Sequence, residues 1–206
     1  MRKIILFLLG TTYLFIASCA APVPTESTKA MPEMAMLTAI QQGDKVIYIR
    51  HAKTNSQKDQ KPLDLSDCAK QRNLSEEGKE QSRMIGEAFQ TLNIPVGQVL
   101  SSPYCRAKDT AQIAFGQYEI NNDLRHLSGV PEDQKAAVIE ALDKLLQRTP
   151  APGTNIILVS HSPNLSETTG IVPRESGSLH IFQPRPGGYE YLGKINPDEW
   201  PALLKM

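Results

Sequence analysis

Lys45-Val46-Ile47-Tyr48-Ile49-Arg50-His51-Ala52 is an apolar run that stops at an arginine and a histidine. Such a run, short and β-branched, reads as a strand buried on both faces. Two further segments repeat the form. Gln98 to Ser101 leads through Ser102-Pro103-Tyr104-Cys105 to Arg106 and a helical stretch, and Asn155-Ile156-Ile157-Leu158-Val159-Ser160 ends at His161. Between them lie two stretches with apolar residues at helical spacing. Ser75 to Leu92 carries Met84, Ile85, Ala88, Phe89 and Leu92, and Pro131 to Arg148 carries Val138, Ile139, Leu142, Leu145 and Leu146. Strands alternating with helices predict parallel strands joined by crossovers. Ser178 to Gln183 and Tyr189 to Ile195, separated by Pro184-Arg185-Pro186-Gly187-Gly188, predict a closing hairpin with a five-residue turn, and Asn196 to Lys205 a short last helix with Trp200 packing down. The expected fold is a three-layer α/β/α sandwich with a mostly parallel sheet and a C-terminal hairpin.

In an open α/β sheet, ligands collect at the carboxyl ends of the strands. Three such ends here offer Arg50, His51, Arg106 and His161. Arginine forks suit phosphate oxygens, and a neutral imidazole can attack phosphorus, so the set points to phosphoryl chemistry. No His-Glu-x-x-His, Cys-x-x-Cys, Gly-x-Ser-x-Gly or Gly-rich phosphate loop occurs, so neither a metal nor another cofactor is expected.

The wording of these segments resembles the histidine phosphatase superfamily, the phosphoglycerate-mutase-like and acid-phosphatase-like enzymes. Arg50-His51-Ala52-Lys53-Thr54 is similar to its Arg-His-Gly-x-Thr signature. Ser101-Ser102-Pro103-Tyr104-Cys105-Arg106-Ala107-Lys108-Asp109-Thr110-Ala111 is similar to Ser-Ser-x-x-x-Arg-Ala-x-x-Thr-Ala, and Val159-Ser160-His161-Ser162 to the second histidine motif. The likeness spans Lys45 to Ile195. It implies His51 as a nucleophile that becomes phosphohistidine, with Arg50 and Arg106, and His161 if protonated, holding the phosphoryl group. Thr54 fits the pattern and is expected to shape the loop. Gln57 stands where many relatives carry Asn, and Ala52 and Ser162 stand where they carry Gly.

In larger relatives an insertion bears the general acid; here Ile120 to Pro131 is short. Of the nearby Asp123, Glu132 and Asp133, Glu132 is the preferred acid, with a helix-start role as its alternative. Arg72 is a candidate substrate contact or a solvated arginine. His126 reads as a surface or loop residue and His180 as a structural one.

The ends of the chain bear on location. Met1-Arg2-Lys3, an apolar stretch from Ile4 to Ile16 and Ala17-Ser18-Cys19 read as a bacterial lipoprotein signal, with an ordinary secretory signal as the alternative. The domain plan is therefore a leader at 1–18, a lipidated flexible tether at 19–36 and a single domain at 37–206. Ala20, not Asp, follows Cys19, which implies an outer-membrane address facing the periplasm. Removing 1–18 leaves 20 basic against 22 acidic residues, a net charge of about −2. That balance and the absence of basic runs exclude a nucleic-acid partner, and leave the membrane to the lipid. Cys68 and Cys105 are expected to be bridged in an oxidising periplasm, with free thiols as the alternative.

The expected function is a metal-independent phosphohydrolase of the envelope acting on a phosphorylated small molecule or envelope glycan. A non-catalytic phosphate-binding module and a mutase are the alternatives. Nothing in the sequence sets the oligomeric state.

Overall fold

The computed structural model describes residues 33–205. The leader, Cys19 and the tether up to Pro32 lie outside the described residues. A six-stranded sheet runs β3-β2-β4-β1-β5-β6. Its strands are β1 (Val46–Arg50), β2 (Val96–Ser101), β3 (Glu119–Ile120), β4 (Asn155–Ser160), β5 (Leu179–Arg185) and β6 (Gly188–Ile195). β3, β2, β4 and β1 are parallel, and β5 and β6 join antiparallel beside β1. The helices are α1 (Glu33–Gln41), α2 (Glu76–Thr91), α3 (Cys105–Phe115), α4 (Glu132–Leu146), α5 (Ser162–Thr169) and α6 (Trp200–Leu203).

The pleat explains the three layers. Ile47 and Ile49 point to one face, packing with Ile85 and Phe89 of α2, Ala107 and Ala111 of α3, and Trp200. Val46 and Tyr48 point to the other, against Leu142 and Leu146 of α4 and Leu165 of α5. Side chains alternate across a strand, so an unbroken apolar run such as β1 or β4 requires cover on both faces. α2 starts where Ser75 Oγ accepts the Gly78 N–H, with Glu76 and Glu77 favourably placed in its first turn. Gly116 (φ 71°) ends α3 in the left-handed conformation.

Three expectations are corrected. The tether does not extend to Met36: α1 begins at Glu33 and buries Met36, Leu37 and Ile40 in the core. The hairpin turn is two residues, not five, because Arg185 pairs with Gly188 and Pro184 with Tyr189. β1 begins, at Val46, opposite Phe182, so the missing N–H of Pro184 deprives no β1 partner, and Pro186 and Gly187 (φ 79°) make the turn between them. The last helix is shorter than its segment, Trp200–Leu203, with Trp200 fully buried. No helix among the described residues is long and apolar enough to cross a membrane.

Candidate active site

Adjacent parallel strands end on the same edge, so β1 delivers Arg50-His51 and β4 delivers Ser160-His161 side by side, with β2 bringing Ser101-Ser102 next to β4. Backbone bonds fix the three ends: His51 N–H donates to Ser160 O at 2.9 Å and Ser102 N–H to Val159 O at 2.9 Å. Tyr48, on the buried face of β1, clamps His161. Its hydroxyl donates to His161 O at 2.7 Å and accepts the His161 N–H at 3.1 Å.

The His51 ring has one defined tautomer. Its Nδ1 lies 2.8 Å from Ala52 O, and a carbonyl can only accept, so the proton is on Nδ1 and the Nε2 lone pair is free. His51 is 3% exposed, and desolvation is the main force pushing its pKa down to about 3. Arg106, Arg50 and Arg72 act in the same direction, against the Ala52 hydrogen bond. It is a neutral imidazole at neutral pH.

His161 is fully buried, 5.3 Å from His51 between ring centroids. Its Nε2 lies 2.7 Å from Ser102 Oγ, which receives the Tyr104 N–H. With Ser102 Oγ donating to Nε2, the neutral ring would carry its hydrogen on Nδ1. That buried Nδ1 has no partner. Burial first, then the neighbouring His51 and Arg106, hold the His161 pKa well below its ordinary value. That direction favours the neutral ring over the protonated one.

Arg106, in the first turn of α3, is 1% exposed, and its guanidinium carbon lies 4.5 Å from the centroid of the Tyr104 ring. Its Nη1 pairs with Asp59 at 3.2 Å, while its buried Nε has no partner. Arg50 Nη1 donates to Pro173 O at 3.1 Å and to Arg174 O, tying the 170s loop to the strand end. Thr110 Oγ1 accepts the Ala52 N–H at 3.0 Å and donates to Arg106 O at 2.7 Å, so one hydroxyl joins the His51 loop to the Arg106 helix.

The remaining sequence candidates fall in different places. Arg72 is half-buried, and its charge acts on His51, Arg106, His126 and His161 alike. Thr54 contributes through its backbone, bridged to Leu74. Glu132 is not among the residues packed around His51: its exposed carboxylate pairs with Lys135 and lines an outer groove beside His126, because the first residue of α4 faces solvent. The carboxylate at the centre is Asp59, which also accepts the Arg72 N–H at 2.8 Å. His126 is the other missed residue. It is a loop residue, as one of the two expectations had it, but half-buried with its ring 4.8 Å from His161. The two glycine replacements are accommodated. Ala52 adopts no positive φ, and Ser162 Oγ donates to Pro173 O at 3.0 Å. Cys68 and Cys105 form a disulfide with Cα atoms 5.7 Å apart. Among the described residues no group of three or more His, Cys, Asp or Glu converges as a metal-ligand set.

The comparisons agree with this layout. The sequence profile described as the histidine phosphatase superfamily (branch 1) matches residues 46–132. The protein histidine phosphatase SixA, solved with tungstate, superposes with a TM-score of 0.53 at 16% identity, over 75% of this chain and 98% of that one. A mycobacterial glucosyl-3-phosphoglycerate phosphatase gives 0.51 at 15% identity, over 72% of this chain and 96% of that one. No curated protein sequence matches the chain significantly. The profile ends at the start of α4, before β4 and the second histidine. What the profile recognises and what the sheet gathers are one arrangement: residues 46–132 match the histidine phosphatase superfamily, and the fold is shared with solved phosphatases of that kind.

Proposed function

We propose that this protein is a metal-independent phosphohydrolase of the cell envelope. It transfers the phosphoryl group of a phosphorylated small molecule or envelope glycan to His51 and then to water. The observation that carries the reading is the His51 ring itself, neutral, aimed by Nδ1–H to Ala52 O, with a free Nε2 beside two arginines. His51 Nε2 forms the bond to phosphorus as the ester bond breaks. Arg50, Arg106 and the Nδ1–H of His161 bear the charge on the phosphoryl oxygens. Water then attacks phosphorus, the P–N bond breaks, and its electron pair returns to Nε2.

The envelope location rests on the leader and Cys19, and Cys19→Ala should leave an uncleaved precursor or a soluble periplasmic form in fractionation. The experiment on chemistry is trapping and mapping of phosphohistidine after mixing with 4-nitrophenyl phosphate, alongside phosphate release by His51→Ala and Arg106→Ala. We expect phosphate on His51, no turnover by His51→Ala with an unchanged circular dichroism spectrum, and severe impairment of Arg106→Ala. A non-catalytic phosphate-binding module would bind inorganic phosphate and never become phosphorylated.

A further inference from the structure

His126 stands in the active centre without a part in the reaction as described above. Its ring touches His161 (4.8 Å) and Tyr104 (6.0 Å), and His161 in turn touches His51 (5.3 Å), whereas no ring contact joins His126 to His51 directly. His161 is thus in contact with the nucleophile and with a second imidazole, and a phosphoryl group held at His161 has both rings close by. In-line displacement puts the leaving oxygen opposite the attacking nitrogen.

The tautomer of His126 is fixed by its own turn. Nδ1 accepts the Ser128 N–H at 3.1 Å, with Ser128 Oγ at 2.8 Å, as the cap of the 3-10 turn Leu127–Gly129. A backbone N–H can only donate, so the neutral ring carries its hydrogen on Nε2. The position is rigid. Ser160 Oγ donates to Leu124 O at 2.7 Å and Asn164 Nδ2 to Arg125 O at 2.8 Å, binding this segment to β4 and α5. His126 also walls a groove of about 520 Å³, lined by Leu127, Glu132, Ile139, Pro163 and Glu167, into which a leaving group can extend.

We propose that His126 is a catalytic residue that donates its Nε2–H to the bridging oxygen of the phosphate ester, on the side of phosphorus away from His51. It acts as a hydrogen-bond donor, not as an acid. Giving up Nε2–H would leave an imidazolate, and protonating Nδ1 would turn it against the Ser128 N–H. Desolvation, with Arg106 and Arg72 adding to it and Asp59 opposing it, agrees by holding the ring's pKa down to about 4. As the ester bond breaks, its electron pair moves onto the bridging oxygen, which Nε2–H stabilises. The departing alkoxide or phenoxide then takes its proton from water. The released hydroxide balances the proton set free when water splits the phosphohistidine.

The inference rests on the phosphohydrolase reading, and single-turnover phosphorylation of His51 separates the two. Wild type, His126→Ala and His126→Gln would be compared on 4-nitrophenyl phosphate and glycerol phosphate, with circular dichroism as the fold control. Losing a preorganised donor costs about 10²-fold where charge builds up fully, so His126→Ala should lose about that on the alkyl ester and less than about threefold on the aryl ester. His126→Gln, whose amide N–H reaches as far as Nε2, should recover most of the alkyl loss. Equal losses on both esters, or a Gln variant no better than Ala, would overturn the role of His126 alone. Absence of phosphohistidine on the wild type with both esters would overturn the enzyme reading and this inference with it.

Discussion

Cutting the Cys68–Cys105 bridge should cost about 4 kcal/mol of stability. The two cysteines are 37 residues apart in sequence. Cross-linking a loop of that size removes about 2.1 + 1.5R ln n cal/mol/K from the unfolded chain, which at 25 °C is about 3.8 kcal/mol. Cys68 is the exposed end and Cys105 the fully buried one, so Cys68→Ser breaks the link without altering core packing. In urea a domain of this size loses about 2 kcal/mol per molar, so the midpoint should fall by about 2 M with its slope nearly unchanged. The same fall should follow when the wild type is reduced. The effect reaches the site, because Cys105 precedes Arg106 and its N–H donates to Gln71 Oε1 at 3.0 Å, holding the loop that carries Asp59 and Arg72. A midpoint shift below about 0.5 M would refute the entropic reasoning, and would mean that the reduced loop is already ordered by its other contacts.

Further outcomes follow from other contacts. Asp59→Asn keeps an acceptor for the Arg72 N–H but removes the charge paired with Arg106, and should tighten inorganic phosphate about fivefold, roughly 1 kcal/mol at the effective dielectric of a half-open site; titration calorimetry reading weaker binding would contradict it. Gly78→Ala would place a methyl carbon 1.9 Å from Lys53 O, a backbone atom two residues beyond His51, so stability should fall by about 1–3 kcal/mol and turnover with it; thermal melts and phosphate release at full wild-type levels would count against this packing. Buried His180, which faces Tyr191, Ser178, Glu175 and Lys194, has its pKa lowered to about 4, chiefly by desolvation. The unfolded chain therefore binds the proton first, and its share of stability, present above about pH 6.5, should drain away as pH falls toward 4, a loss of about 3 kcal/mol. Urea melts of wild type and His180→Asn across that range should differ in slope against pH, and parallel curves would refute the assignment.

Much of the architecture was legible because the uninterrupted apolar runs of β1 and β4 admit only a doubly covered sheet, and α2 and α4 carry a clear helical stripe. The polar α5, Ser162-Pro163-Asn164-Leu165-Ser166-Glu167-Thr168-Thr169, has no such stripe, and the two-residue β3 is too short to leave a pattern. α1 was hidden because its apolar residues adjoin a Pro- and Ala-rich stretch and read as part of the tether. At the site, His51, Arg50, Arg106 and His161 announce themselves by following strands or opening a helix. His126 does not: Leu124-Arg125-His126-Leu127 reaches the centre only because Leu124 and Leu127 sink into separate cores and the segment is bonded to β4. Asp59 lies in an irregular loop whose course is set by long-range contacts and by the disulfide, neither of which has a periodic trace.

The central place of β1 has a consequence for how the molecule comes into being. Both neighbours of β1 are synthesised far later: Lys45 meets Asn155 across a separation of 110 residues, and β5 follows after that. Until then the Val46–Ile49 segment has no partner on either edge, and pairings of such range are slow to form and prone to aggregate while they wait. No earlier fragment can hold His51 and His161 together. Phosphoryl transfer therefore serves as a reporter of the pairing of β1 with β4, and a chain cut anywhere before β4 should yield no residual activity.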